Sequence, residues 1–206
     1  MRIITISREF GSGGRELGKR LADLLACDYN DSEIVHAVAP NSGMDAGYVA
    51  DTLSNPGWQD MALTFRGTLS SPTSFHASKV TLLLQQKTVL EEIAALGKDC
   101  VIVGRNADVI LKDYAPFNIF VCASTQAKVQ RCQERAPEGE NLSEKELLRK
   151  MKKIDEVRAQ TRAIMSDAAW GQRSAYHITI NTTGWDIKAL VPAVADFAGR
   201  WFERKK

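Results

Sequence analysis

Two hydrophobic rhythms alternate along this chain. Residues Arg2 to Ser7 form a short β-branched run that stops at a cluster of glycines, the pattern of a buried strand entering a loop. From Arg15 to Ala26 the apolar positions Leu17, Leu21, Leu24 and Leu25 fall at helical spacing, with Arg15, Lys19, Arg20 and Asp23 mostly opposite them. A second helix is expected to start near Asp31 or Ser32, either of which can cap its first turn, and to end before Pro40. Asn41 to Ser78 is rich in Ser, Thr, Gly and Pro and reads as an insertion that meets ligand. Helical periodicity returns over Thr81 to Leu96 and stops at Gly97. "CVIVGR" (Cys100 to Arg105) and "FNIFVCAS" (Phe117 to Ser124) are short apolar strands ending in small polar residues, as parallel strands do at a ligand crevice.

Charged helical stretches follow at Thr125 to Arg135 and Ser143 to Ser166, the second opened by a capping box, Ser143-Glu144-Lys145-Glu146. "YHITIN" (Tyr176 to Asn181) is a last strand and Ile187 to Phe202 a last amphipathic helix. Alternating strands and helices predict a parallel sheet covered on both faces.

Composition narrows this picture. The 206 residues suit one globular domain, and 27 basic against 25 acidic residues leave a net charge of +2, which lacks the broad basic face of a nucleic-acid polymer binder. Cys27, Cys100, Cys122 and Cys132 form no CxxC pair and suit reduced thiols. No apolar run approaches the ~20 residues that span a bilayer, so the expectation is a cytoplasmic, non-membrane protein. His36, His76 and His177 stand apart from one another and build no catalytic pattern, and Trp58, Trp185 and Trp201 read as packing residues.

Candidate chemistry begins at "ISREFGSGG", Ile6 to Gly14. Gly11, Ser12, Gly13 and Gly14 can turn consecutive amides onto an anion at a positive helix end. The usual phosphate-loop pattern GxxxxGK[ST] is broken, because no lysine directly follows the glycine cluster. Arg15, or secondarily Arg8, can supply the missing charge as a planar fork for two phosphate oxygens. Without an anion, a cation such as Arg15 at a helix start is unfavourable by ~0.3–1 kcal/mol. Glu16 suits that helix end with no ligand, and can also hold magnesium directly or through water.

The stretch resembles the opening of cytidylate kinases, "ITIDGPSGSGKGT", without a gap, and more closely that of the cytidylate kinase-like family, "ISREFGSGG", in which the missing lysine is a family trait. Later stretches carry the same resemblance. "DYNDSEIV" (Asp28 to Val35) is similar to the family's "YYDKELI" and implies that Asp31 faces the acceptor, although N-capping explains it equally. "CVIVGRNAD" (Cys100 to Asp108) resembles "VVAGRD" and "IVGR.AD", implying Arg105 as a clamp on the acceptor phosphate, with Asn106 in place of the cytidylate kinases' Asp. "KVQRCQER" and "IDEVRAQTR" imply a lid. Arg131 pairs with Arg135 and Arg158 with Arg162 one turn apart, while Asp155 and Arg158 match the family's D-x-x-R. The paired tyrosines usual after that motif are absent here, while Trp170 and "INTT" are present.

The resemblance therefore implies one α/β domain over residues 1–206 with the three-layer phosphate-loop NTPase fold of nucleoside monophosphate kinases. It carries a parallel sheet, an acceptor-binding insertion at about 31–96 and a helical lid at about 131–162. It implies ATP and magnesium as cofactors and transfer of phosphate to CMP or dCMP. Arg15, Arg131, Arg158 and Arg162 are the expected catalytic residues. Arg8, Gly11, Ser12, Gly13, Gly14 and Arg15 are expected at the ATP phosphates, Asp31, Arg105, Asp155 and Arg158 at the acceptor, Arg131 and Arg135 in the lid, and Glu16 at the metal. Two alternatives stay open: a nucleotide-binding regulator that has lost transfer, and a kinase of another small acceptor.

Overall fold

The computed structural model describes residues 1–31, 72–136 and 142–204. They fall into two compact units, one of Met1–Tyr29 with Lys98–Lys206 and the other of Asn30–Gly97. Strands β1 (Ile3–Arg8), β2 (Asp28–Asn30), β3 (Cys100–Val103), β4 (Phe117–Cys122) and β5 (Ile178–Asn181) form one sheet in the order β2-β3-β1-β4-β5. β1 pairs in parallel with both β3 and β4, and β4 with β5. The jump from β3 across β1 to β4 makes β1 the central strand, and the C-terminal ends of β1 and β3 lie side by side. Together with the helices that cover it, the sheet builds the three-layer α/β architecture that the alternating pattern predicts.

The period-two pattern of each strand decides what it buries. Ile4 and Ile6 share one face with Val101, Val103, Phe117, Ile119 and Val121. Onto this face pack Leu17, Leu21 and Ala22 of α1 (Gly14–Leu25) and Ile187, Val191, Val194 and Ala198 of the C-terminal helix Ile187–Glu203. On β4, the opposite face carries Phe120, covered edge-on by Trp170 at 5.3 Å and by Tyr176 at 5.0 Å between ring centroids. His177 is a structural histidine: its Nδ1 accepts from the Asn118 amide at 2.8 Å and its ring stacks on Phe117. Trp201 packs on Phe117 as expected, whereas Trp185 is exposed. Trp58 and His36 lie outside the described residues, as does the expected helix before Pro40.

The remaining helices are α2 (Pro72–Ala95), α3 (Ala107–Ile110), α4 (Thr125–Glu134), α5 (Glu144–Met165) and α6 (Ile187–Glu203). α2 begins nine residues before the periodicity predicts, at Pro72, since a proline fits the first turn of a helix. The capping box at Ser143 and Glu146 is present on α5, and Ser124 caps α4 by accepting from the Ala127 amide. β2 and α3, at three and four residues, are too short to leave a periodic signature.

Candidate active site

The loop between β1 and α1 is shaped by what it cannot accommodate. Gly13 has φ 82°, and a Cβ there would stand 2.5 Å from Ile187 Cδ1. Ser12 is fully buried, its hydroxyl donating to Glu9 O at 2.8 Å. No side chain caps the start of α1, so its positive end is open to an anion.

Side chains from three other elements fasten this loop. Arg131 of α4 donates through Nη1 to Gly11 O at 2.8 Å and through Nη2 to Thr182 O at 3.3 Å. Thr182, just past β5, is buried and donates to Ser12 O at 2.7 Å. From α5, Asp155 Oδ1 accepts from the Phe10 amide at 2.8 Å, and Arg158 Nη1 donates to Arg8 O at 3.0 Å and to Asp155 Oδ1 at 2.9 Å. Burial raises the Asp155 carboxyl above its usual range against the opposing pull of Arg158 and the Phe10 amide. Glu9 accepts from Lys128 Nζ at 2.9 Å and from the Ala123 amide at 3.3 Å. Arg131 and Arg158 thus meet at the loop, the second on the backbone carbonyl of Arg8.

Thr182 and Glu9 escape sequence reasoning as site residues. Thr182 had a visible trace in "INTT", but a threonine that binds a loop carbonyl is indistinguishable in sequence from one that ends a strand.

Arg15 is exposed on the first turn of α1. Arg8 runs the other way: a Cβ on Gly104 would overlap its Nη1, so the guanidinium lies over the end of β3. The two side chains thus lie in different places, Arg15 on the first turn of α1 and Arg8 over the end of β3.

The turn after β3 is unusual in having three successive residues in the left-handed region, Gly104 at φ 78°, Arg105 at 61° and Asn106 at 52°. For a side-chain-bearing residue this conformation costs roughly 1–2 kcal/mol, less for Asn. The Ala107 amide donates to Gly104 O at 3.1 Å and the Val109 amide to Asn106 O at 2.9 Å, so α3 begins directly after the turn. Arg105 is thereby held at the C-terminal end of a strand adjacent to β1.

Arg162 does not join Arg131 and Arg158 at the loop. Its side chain is 3% exposed and ion-paired through Nη1 with Asp108 Oδ2, while Nε donates to Ala168 O at 3.2 Å. The sequence pattern places Arg158 and Arg162 on one helix face but does not register that Asp108, four residues after Gly104, intercepts the second.

Arg135 reaches Glu16 Oε2, and Arg20 Nε lies 2.7 Å from Glu16 Oε1. Burial alone would raise the Glu16 carboxyl, but these two guanidinium partners bring it below its usual value. Both oxygens are engaged, and among the described residues no group of three His, Cys, Asp or Glu side chains is placed to hold a metal ion. The donor set around Glu16 therefore does not fit a magnesium site built by the protein. The loop, by contrast, fits a phosphate. Asp31 is buried at the start of the second unit. Among the described residues, no helix is long and apolar enough to cross a membrane.

A parallel sheet with a glycine-turned loop between its central strand and a following helix defines a phosphate-loop kinase fold. The chain belongs to the cytidylate kinase-like family, whose model matches residues 3–184. The kinase-like class rests on that membership. An uncharacterized protein from Eubacterium ventriosum ATCC 27560 is similar in structure with a TM-score of 0.71 at 24% identity, over 97% of this chain and 99% of that one. A gluconokinase from Sinorhizobium meliloti 1021 (TM-score 0.56, 13% identity, 98% and 94% covered) shares the fold. So does a shikimate kinase from Acinetobacter baumannii in complex with shikimate (0.51, 15%, 96% and 92%). At these identities the likeness is one of fold. No curated protein matches the chain.

Proposed function

We propose that the protein transfers the γ-phosphoryl group of ATP to a small acceptor. The observation that carries this reading is the pairing of two turns at neighbouring strand ends, an anion cradle after β1 and Arg105 after β3. Phosphoryl transfer asks little covalent chemistry of a protein and depends on positioning and charge neutralisation. In this reading the amides of Gly11, Gly13 and Gly14 hold the donor phosphates and Arg15 takes the place of the loop lysine. Arg8 lies between donor and acceptor ends. Arg105 clamps an anionic group of the acceptor, Asp155 holds the donor loop at the Phe10 amide rather than the acceptor, and Arg131 and Arg158 neutralise charge spreading over the transferred group. Arg135 tethers the lid helix to α1 through Glu16. Magnesium accompanies ATP in kinases of this fold and would shield the charge of the donor phosphates when bound with it.

CMP and dCMP are the acceptors that the family name suggests. Asn106 replaces the cytidylate kinases' Asp, and gluconokinase and shikimate kinase share the fold, which together favour a wider class of small acceptors. The broken loop pattern favours a second reading, a nucleotide-binding regulator without transfer.

Labelled ATP with magnesium chloride, screened over CMP, dCMP, other nucleoside monophosphates, shikimate, gluconate and a no-acceptor control, separates these readings. Acceptor-dependent product that falls at least ~100-fold in Arg105→Ala, as expected for loss of a charged clamp, supports the kinase. ATP binding with no transfer to any acceptor favours the regulator.

A further inference from the structure

Helix α5 holds both turns with a single stripe of side chains. Asp155, Arg158, Arg162 and Met165 recur at steps of three, four and three residues, the spacing of one helix face. The first two bond the donor loop, at the Phe10 amide and Arg8 O. The last two bond the turn after β3 and the helix it leads into: Asn106 Nδ2 donates to Met165 Sδ at 3.6 Å, and Arg162 pairs with Asp108 of α3. One helix thus touches the backbone that leads into the phosphate-binding turn, at Arg8 and Phe10, and the segment that presents Arg105.

We propose that α5 couples the two half-sites, with Arg162 and Asp108 as its positioning pair, so that occupancy of the donor loop orders the Arg105 turn before an acceptor arrives. The proposal deepens the kinase reading and rests on it.

The pair suits this task for a physical reason. Arg162 and Asp108 are both buried, and Asp108 Oδ1 accepts no hydrogen bond among the described residues. A displacement of Arg162 must therefore carry Asp108 with it or strand a buried carboxylate, which is costly. The turn itself, with Arg105 and Asn106 left-handed, carries strain that it can release when its support loosens. Coupling of this kind is reciprocal, so a tighter acceptor turn also favours the donor.

The test is amide hydrogen exchange by mass spectrometry on the full chain, with and without adenylyl imidodiphosphate and magnesium chloride, a readout that does not require knowing the acceptor. The variants are Arg162→Lys, which keeps charge and loses the planar fork, and the double replacement Asp108→Leu with Arg162→Met, which removes the pair without stranding either charge. In the wild type, the nucleotide is expected to slow exchange at residues 9–17 and, by about five-fold, at 104–111. In the double variant the slowing at 9–17 persists while that at 104–111 drops below about two-fold, with Arg162→Lys between the two. A merely structural pair would change thermal stability and leave the nucleotide-dependent response at 104–111 intact, which overturns the proposal. Slowing at 9–17 without any response at 104–111 in the wild type overturns the coupling and spares the kinase reading. No slowing anywhere overturns both.

Discussion

The turns after β1 and β3 occupy equivalent places in the sheet and meet their steric demands in opposite ways. After β1 the left-handed positions are Gly11 and Gly13, at φ 74° and 82°, where the absence of a Cβ removes the penalty. After β3 the run begins with Gly104 but continues through Arg105 and Asn106, which keep their side chains and bear the strain. In the proposed chemistry the first turn works with backbone amides and the second with a guanidinium, so glycine serves the first and cannot serve the second. Strain persists where a side chain is needed and the surroundings over-determine the backbone. Here those surroundings are α5 and its buried pair with Asp108.

The strongest way to break the comparison is to remove that support. Arg162→Met leaves Asp108 buried and uncompensated, and is expected to lower unfolding free energy by about 3–5 kcal/mol, measured by the midpoint of urea denaturation. The double variant with Asp108→Leu should recover most of this loss, because no charge is then left alone.

Next in size is Gly13→Ala. It forces a side chain into the left-handed region and to within 2.5 Å of Ile187 Cδ1, for an expected loss of about 2–3 kcal/mol. Nucleotide affinity by calorimetry should fall with it. A variant that melts like the wild type and binds nucleotide equally would end the claim that the first turn depends on glycine.

Arg105→Gly sharpens the contrast from the other side. Relief of left-handed strain should stabilise the fold by about 1 kcal/mol while abolishing acceptor-dependent turnover. The melting temperature and the transfer assay together read this opposition; a destabilised Arg105→Gly would mean that the side chain's packing outweighs its strain.

The smallest effect concerns Glu16, whose carboxyl is held below its ordinary value of 4.5 in the folded state by Arg20 and Arg135. A lowered folded-state value adds stability that is fully present above 4.5 and disappears as pH falls through the folded value. Glu16→Gln should therefore cost about 0.3–1 kcal/mol at neutral pH, and denaturation curves of the two proteins should converge as pH drops below that range.

How much of this was legible beforehand differs between the two turns. The first could be read directly: "ISREFGSGG" supplies strand, glycines and helix start within one contiguous segment. The second could be read only as a strand followed by an arginine. Gly104 and Asn106 tolerate the left-handed region, but nothing in "CVIVGRNAD" signals that Arg105 between them joins it, because arginine has no preference for that conformation and the turn's neighbours, Arg8 and Met165, lie far away in sequence. The helical spacing of Arg158 and Arg162 was equally plain, yet one reaches the loop backbone and the other a buried carboxylate. Spacing assigns a face of a helix, not what lies opposite it.

The chain's own order of residues determined the alternating elements, the parallel sheet, the capping box on α5 and the family, because these arise from short-range periodicity and from motifs contained in single segments. Tertiary structure alone decided that Arg8 turns to Gly104, that Thr182 and Glu9 fasten the loop and that Asp108 captures Arg162. It also decided that Glu16 spends both oxygens on arginines rather than keeping one for a metal. Each of these joins groups far apart in sequence, and a long-range contact depends on the geometry of the whole sheet rather than on the preferences of either partner.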